Sequence, residues 1–294
     1  MTAAKAAQVA PDLLTRLAAA LAPGAIVEAG AGQAAVDADA LTLAALLARR
    51  GTADRTGGGL RDRIGDDTEE CEGAGAFACG AFERRAFEPD AGAAGATLRL
   101  WTNRCCLVVP RSFAQRERFA AAAAASDAAG WPVFLRASGG SAVVHRPGIL
   151  NISLFAVRRA GTIDIAEAYR MLGARIVAAL DVLGVPATLG AVPGSYCDGR
   201  FNIVAGGRKL AGTACLLRPV GARIGMLAHA MLAVTGDVAA DVVAVARFEA
   251  AMGLAPAYDA CAHVALAELI DARVGAGADT GGWQRPEAAP SGRR

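Results

Sequence analysis

The chain has 294 residues, 54% of them hydrophobic, enough to bury one large core or two small ones. Its 30 basic residues nearly balance 28 acidic ones, and a net charge of +2 gives no electrostatic case for a nucleic-acid partner. The seven cysteines, an odd number, form no C-x-x-C pair and no Cys/His zinc spacing, which argues against a metal site or disulfide framework and for a reducing compartment.

The N-terminal residues lack an apolar run fit for a signal peptide, and the uncharged stretch 224–236, which contains His229, is too short to span a bilayer. A cytoplasmic protein without a membrane partner is expected. Residues 12–22 read as a short helix closed by Pro23-Gly24, and residues 34–49 as a second helix. The pattern dissolves over 51–96, where a Gly triplet and an acidic run stand among few large apolar residues, so a mobile surface insertion is expected there. Leu98, Leu100, Cys105, Leu107 and Val109 suggest two strands around an Asn103-Arg104 turn. A helix over 113–125 and short strands over 133–136, 142–145 and 149–157 follow. Residues 164–183 form the clearest helix, with Ile165, Tyr169, Leu172, Ile176, Leu180 and Leu183 on one face, a cap at Thr162 or Asp164, and Gly184 at its end. After a Gly/Cys loop at 190–200, a Gly206-Gly207 turn joins strands over 201–204 and 209–217. A strand over 223–234 and helices over 237–252 and 260–270 complete the pattern. The expected division is N-terminal helices over 1–50, the insertion over 51–96, a main domain over 97–272 with 28–50 packed on it, and a disordered tail over 273–294. Mixed strands and helices without a regular βαβ alternation predict an α+β fold with mixed sheets flanked by helices.

Two segments carry chemistry. In the first, Gly139-Gly140 lies between two strands and allows backbone N–H groups to approach a ligand. Arg136 sets a cation at the loop entrance, and His145 ends the next strand, where it can anchor the loop or shift a proton. The plain alternative is a glycine turn with an exposed Arg and a structural His. In the second, Cys197 sits in a polar loop, where a nearby cation can ionise a thiol and make it a nucleophile. Lys209 lies twelve residues on, across the hairpin, and partial desolvation there would lower its pKa. Its alternative is a surface Lys and an idle Cys. Cys105, Cys106, Cys215 and Cys261, in apolar or strand contexts, and Cys71 and Cys79, in the insertion, are expected to be idle.

The first segment, Arg136-Ala-Ser-Gly-Gly-Ser-Ala-Val-Val-His145, resembles the R-x-S-G-G-G-x-V-x-H loop of the lipoate–protein ligase and octanoyltransferase superfamily. The second, Lys209-Leu-Ala-Gly-Thr-Ala, resembles that family's K-x-x-G-[ST]-A hairpin. The resemblance covers roughly 97–268. Tyr196-Cys197-Asp198-Gly199 resembles the Y-C-x-G of the cysteine-dependent octanoyl- and lipoyl-transferases. The third loop glycine is Ser141, and Cys215-Leu216-Leu217 stands where polar residues are usual.

The resemblance implies a biotin/lipoate protein ligase-like catalytic domain and an acyltransferase for protein lipoylation. Cys197 and Lys209 would be catalytic. Arg136, Ser138, Gly139, Gly140, Ser141, His145, Gly212 and Thr213 would bind substrate. The donor would be acyl carrier protein or the glycine-cleavage H protein. The acceptor would be a lipoyl domain of a 2-oxoacid dehydrogenase complex, or the H protein. No cofactor is implied, the octanoyl or lipoyl group being substrate. ATP enters only in the alternative of a lipoate–protein ligase acting through an acyl-adenylate, and a non-catalytic carrier-binding paralogue is the other alternative. Arg104, Arg111, Arg146 and Arg200 are candidates for a basic docking patch.

Overall fold

A computed structural model describes residues 3–53 and 96–278. In chain order the elements are α1 (Ala3–Leu21), β1 (Val27–Ala29), α2 (Gln33–Ala53), β2 (Ala96–Thr102), β3 (Cys106–Pro110), α3 (Phe119–Ala128), β4 (Val133–Arg136), β5 (Val143–His145), β6 (Ile149–Arg159), α4 (Ile165–Val182), β7 (Thr188–Gly190), β8 (Asn202–Ala205), β9 (Arg208–Val220), β10 (Arg223–Ala233), α5 (Val238–Ala251) and α6 (Leu266–Ala278). Short 3-10 turns stand at Arg111–Gln115 and Ala260–Ala262.

A seven-stranded mixed sheet runs β1-β2-β6-β10-β9-β8-β7, and a three-stranded sheet runs β4-β3-β5. β6 and β10 pair antiparallel over their whole length, from Ile149 opposite Ala233 to Arg159 opposite Arg223. The alternation of a strand then sorts their side chains by parity. Leu150, Ile152 and Leu154 of β6, with Met226, Ala228 and Leu232 of β10, pack against Leu13 and Leu17 of α1 and Leu172, Ile176 and Leu180 of α4. The odd-numbered residues face the other way. Phe155, Val157 and Leu227 pack on Leu43 and Leu47 of α2. Gly225 permits this approach, since a Cβ there would lie 2.8 Å from a Leu47 methyl. Further along the same face stand Asn151, Ser153 and His229, so parity alone aims three polar side chains at the gap between the sheets.

Local signals explain most boundaries. Asp164 caps α4 by accepting the Glu167 N–H at 2.7 Å, and Gly184, at φ 73°, ends it. Asp237 caps α5 through the N–H groups of Ala239 and Ala240. Gly206 and Gly207 both have positive φ, as a two-residue hairpin turn requires.

Other elements differ from expectation. β2 and β3 do not pair with each other. The chain leaves the large sheet at Thr102 and enters the small one at Cys106. The buried Asn103 side chain fixes that crossing, accepting from Gly32 N at 2.8 Å and donating to Gly32 O at 3.3 Å. The three-residue strands β1 and β7 are too short to leave a periodicity in the sequence. The helix expected over 113–125 is a 3-10 turn followed by α3, and that over 260–270 is a 3-10 turn followed by α6. α6 continues to Ala278, past the expected start of the tail at 273. Almost all of the expected insertion, 54–95, and the rest of the tail, 279–294, lie outside the described residues.

Candidate active site

Arg136, at the end of β4, is 5% exposed. Its guanidinium donates to Val108 O at 2.5 Å, Gly139 O at 2.9 Å and Ser141 O at 2.7 Å. The cation therefore lies beneath the glycine loop as a fork holding its carbonyls; it does not stand exposed at the entrance. Burial pulls its pKa down to about 10, which leaves it charged at neutral pH. Gly140 has φ 105°, and a Cβ there would meet the guanidinium at 3.0 Å and the Cys197 Sγ at 3.4 Å. The loop backbone thus presses directly on the thiol, and only glycine fits. His145 is buried edge-to-face against Trp101, with centroids 5.3 Å apart. Burial, then Arg136, pushes its pKa down to about 3. It is a neutral wall residue and does not shift a proton near neutrality.

Cys197 lies in the loop between β7 and β8. It is the one non-glycine residue with positive φ among the described residues, at 51°. Burial raises its thiol pKa, but Lys209, hydrogen bonds from Ser141 and the Arg136 charge outweigh that, and the net direction is downward. Lys209, the second residue of β9, is 3% exposed. Its Nζ donates to Tyr196 O and, at 3.1 Å, to Cys197 O. Burial draws its pKa down to about 8, opposed by Cys197 and Asp198. Tyr196 stacks on His263, with centroids 4.6 Å apart, and so anchors the loop from below. Asp198 Oδ1 accepts Val192 N at 2.8 Å, and Thr213 donates to Phe201 O at 2.9 Å, tying hairpin to loop. A Cβ at Gly212 would stand 3.4 Å from the Lys209 Nζ.

Arg136, Ser138, His145, Cys197, Gly212 and Thr213 all line one pocket, about 650 Å³ counted to its open mouth. Gly139, Gly140 and Ser141 are held beside it by Arg136. Lys209 stands behind Cys197, facing a separate small cavity shared with His263. The pocket beneath the glycine loop is of mixed character. Val36, Trp101, Leu227 and Met231 supply apolar wall, but Asp39, Asn151 and His229 also line it.

Sequence reasoning missed these last residues and the network behind them. Arg99 pairs with Glu28 at 2.8 Å and Asp39 at 2.7 Å. Ser153 donates to Asp39 at 2.7 Å, and the Trp101 indole donates to Ser153 at 3.1 Å. His229 Nε2 meets Ser138 Oγ at 2.7 Å, and its Nδ1 lies 3.6 Å from Asp39. The only signals were one His inside an apolar strand and one Asp on a leucine-rich helix. Glu249 was also missed. It accepts from Ala142 N at 3.4 Å and from the Tyr258 hydroxyl at 2.5 Å, joining the glycine loop to the floor of the cysteine loop.

Burial pushes the thiols of Cys106 and Cys215 up to about 12, so they are inert. Cys105 and Cys261 are exposed, contrary to their apolar sequence context. Cys71 and Cys79 lie outside the described residues. Arg146 is withdrawn from the expected basic patch by a 2.6 Å ion pair with the buried Asp241, and Arg111 pairs with Asp37 at 3.4 Å. Among the described residues no group of three His, Cys, Asp or Glu is placed to hold a metal, and no helix is long and apolar enough to cross a membrane.

An octanoyl-[GcvH]:protein N-octanoyltransferase of Kyrpidia tusciae is 42% identical over 117 residues, which are 40% of this chain and 40% of that one. An uncharacterized protein of Cupriavidus necator is 39% identical over 185 residues, 58% of this chain and 73% of its own. The chain thus spans well under half the length of the first relative and about three quarters of the second. Among solved structures, lipoate-protein ligase A bound with ATP superposes with a TM-score of 0.45 at 22% identity, over 60% of this chain and 65% of that one. The sequence pattern of the lipoyl protein ligase A/B catalytic domain matches residues 76–255. That span holds the Arg136 fork, the glycine loop, Cys197, Lys209 and His229, and the chain belongs to the lipoyl protein ligase A/B catalytic-domain family.

Proposed function

We propose that this protein is an acyltransferase of protein lipoylation that carries an octanoyl or lipoyl group on Cys197 as a thioester. The observation that carries this reading is the Cys197 thiol, lowered in pKa and held at the pocket between the glycine loop and the Lys209 ammonium. The activity named for the Kyrpidia relative, octanoyl transfer from GcvH to protein, supports it.

The thiolate adds to the acyl carbonyl of the carrier-bound group; the C–S bond then breaks and releases the carrier thiolate, or the C–N bond breaks as the Lys209 ammonium gives its proton to the leaving amine. Peptide N–H groups of Gly139 and Gly140 are the nearest candidates for the oxyanion, each such donor being worth about 3 kcal/mol. The acyl chain lies on Trp101, Val36, Leu227 and Met231. The acceptor lysine then attacks the thioester, and its proton passes to a neutral Lys209. With a pKa of about 8, Lys209 can be neutral in a useful fraction of molecules near neutral pH. A thioester donor makes the overall transfer downhill and an amide donor makes it a nearly even exchange, so neither route needs ATP or a cofactor. The donor is the glycine-cleavage H protein or acyl carrier protein, and the acceptor is a lipoyl domain. Unpaired thiols suit the cytoplasm.

The test is intact-protein mass spectrometry after mixing with octanoyl–acyl carrier protein or octanoyl–H protein, without ATP. A hydroxylamine-labile octanoyl adduct on Cys197 is expected. Acceptor modification that needs ATP and survives Cys197→Ser would overturn the reading.

A further inference from the structure

The pocket holds a second set of groups that the proposed transfer does not use. Ser138 Oγ is 2.7 Å from His229 Nε2, and His229 Nδ1 is 3.6 Å from Asp39 Oδ2. Ser138, His229 and Asp39 come from the glycine loop, β10 and α2, and all three line the same pocket as Cys197. Three separate elements thus bring a hydroxyl, an imidazole and a carboxylate together, the hydroxyl at one ring nitrogen and the carboxylate near the other. That is the order needed for a hydroxyl to lose its proton to an imidazole whose far side faces an anion.

The carboxylate is firmly held. Burial works against its charge, but the nearby His229 ring, the Arg99 guanidinium and the Ser153 hydroxyl overcome this and keep Asp39 ionised. With Nδ1–H turned toward that anion, Nε2 is free to accept from Ser138. The 3.6 Å separation is long for a hydrogen bond, as catalytic contacts commonly are before substrate arrives. Gly139 and Gly140 follow Ser138 directly, so peptide N–H groups without shielding side chains stand next to the hydroxyl.

We propose that Ser138, His229 and Asp39 form a second acyl-transfer centre in this pocket, a serine hydrolase that cleaves acyl thioesters and esters with water. The Ser138 hydroxyl adds to the acyl carbonyl while its proton passes to His229 Nε2. The bond from the carbonyl to the leaving thiol or alcohol breaks, and that proton leaves with it. Water then attacks the acyl-serine ester. It gives one proton through His229 back to Ser138 Oγ and releases the carboxylic acid. Thioester and water become acid and thiol, and the enzyme is restored. The choice of a medium-length acyl chain rests on the proposed transfer; the relay itself does not.

Full-length Cys197→Ala protein separates the two chemistries. It should hydrolyse p-nitrophenyl octanoate and the N-acetylcysteamine thioester of octanoate, and an alkyl fluorophosphonate should label Ser138 in a tryptic map. Adding Ser138→Ala or His229→Gln should cut hydrolysis at least about 100-fold and abolish labelling, with the circular dichroism spectrum and melting temperature of the single variant retained. His229→Gln keeps a hydrogen-bond partner for Ser138, so its loss of activity would not be a loss of the loop. Folded Cys197→Ala protein that neither turns over nor labels beyond its Ser138→Ala derivative overturns the inference. If wild-type protein still forms octanoyl-Cys197, the transfer reading survives that failure. Hydrolysis by Cys197→Ala with no octanoyl-Cys197 in the wild type would overturn the transfer reading and support this one.

Discussion

The glycine loop and the cysteine loop are built on the same plan with different cations. Each folds its backbone carbonyls around a buried positive charge, Arg136 in one case and Lys209 in the other. Arg136 spreads its donors over three carbonyls and, with a pKa of about 10, stays charged near neutral pH. Lys209 holds two carbonyls, and burial brings its pKa to about 8. One anchor is permanent, and the other can let go of a proton. The wall that keeps its shape has the guanidinium, and the wall that carries the proposed nucleophile has the amine.

The comparison can be broken most forcefully at the thiol itself. Cys197→Ser should leave the fold intact and reduce transfer by at least about 1,000-fold, with no octanoyl adduct by mass spectrometry. Lys209→Arg makes the second anchor permanent. Thioester formation on Cys197 should survive, while transfer to the acceptor lysine falls about 100-fold. The sign of the pH dependence follows from the base. Lys209 accepts a proton only when neutral, so wild-type transfer should rise with an inflection near pH 8; in single-turnover measurements the variant should lose that inflection and keep only the rise from the acceptor amine. Arg136→Lys is a smaller change. A single ammonium cannot span Val108, Gly139 and Ser141, and stability should fall by roughly 1–3 kcal/mol in denaturant titration. Thr213→Val, which removes only the bond to Phe201 O, should cost about 1 kcal/mol and change turnover little.

Local chemistry was legible in the sequence, and distant chemistry was not. The Asp164 cap, the face of α4 from Tyr169 to Leu183 and the Gly206-Gly207 hairpin are written in neighbouring residues, and they stand where the spacing puts them; Ile165, at the first turn of α4, instead stays half exposed. The motif residues at 136–145 and 197–213 also come together at one pocket and its margin, because each cluster is short. What failed depends on burial or on partners far away in the chain. Nothing near Arg136 says that its fork turns inward to the loop carbonyls. Nothing near Asn103 says that β2 and β3 join different sheets, since that follows from the pairing of β2 with β1 and β6. His229 and Asp39 become chemistry only when strand parity and the seat of α2 at Gly225 bring them to Ser138.

The left-handed backbone at Cys197 has a consequence for the history of such chains. A cysteine at φ 51° sits where glycine or asparagine would rest with less strain, a difference on the order of 1 kcal/mol. The residue proposed to do the chemistry is thus one the fold would rather replace, so the thiol is kept at this place against the backbone's own preference.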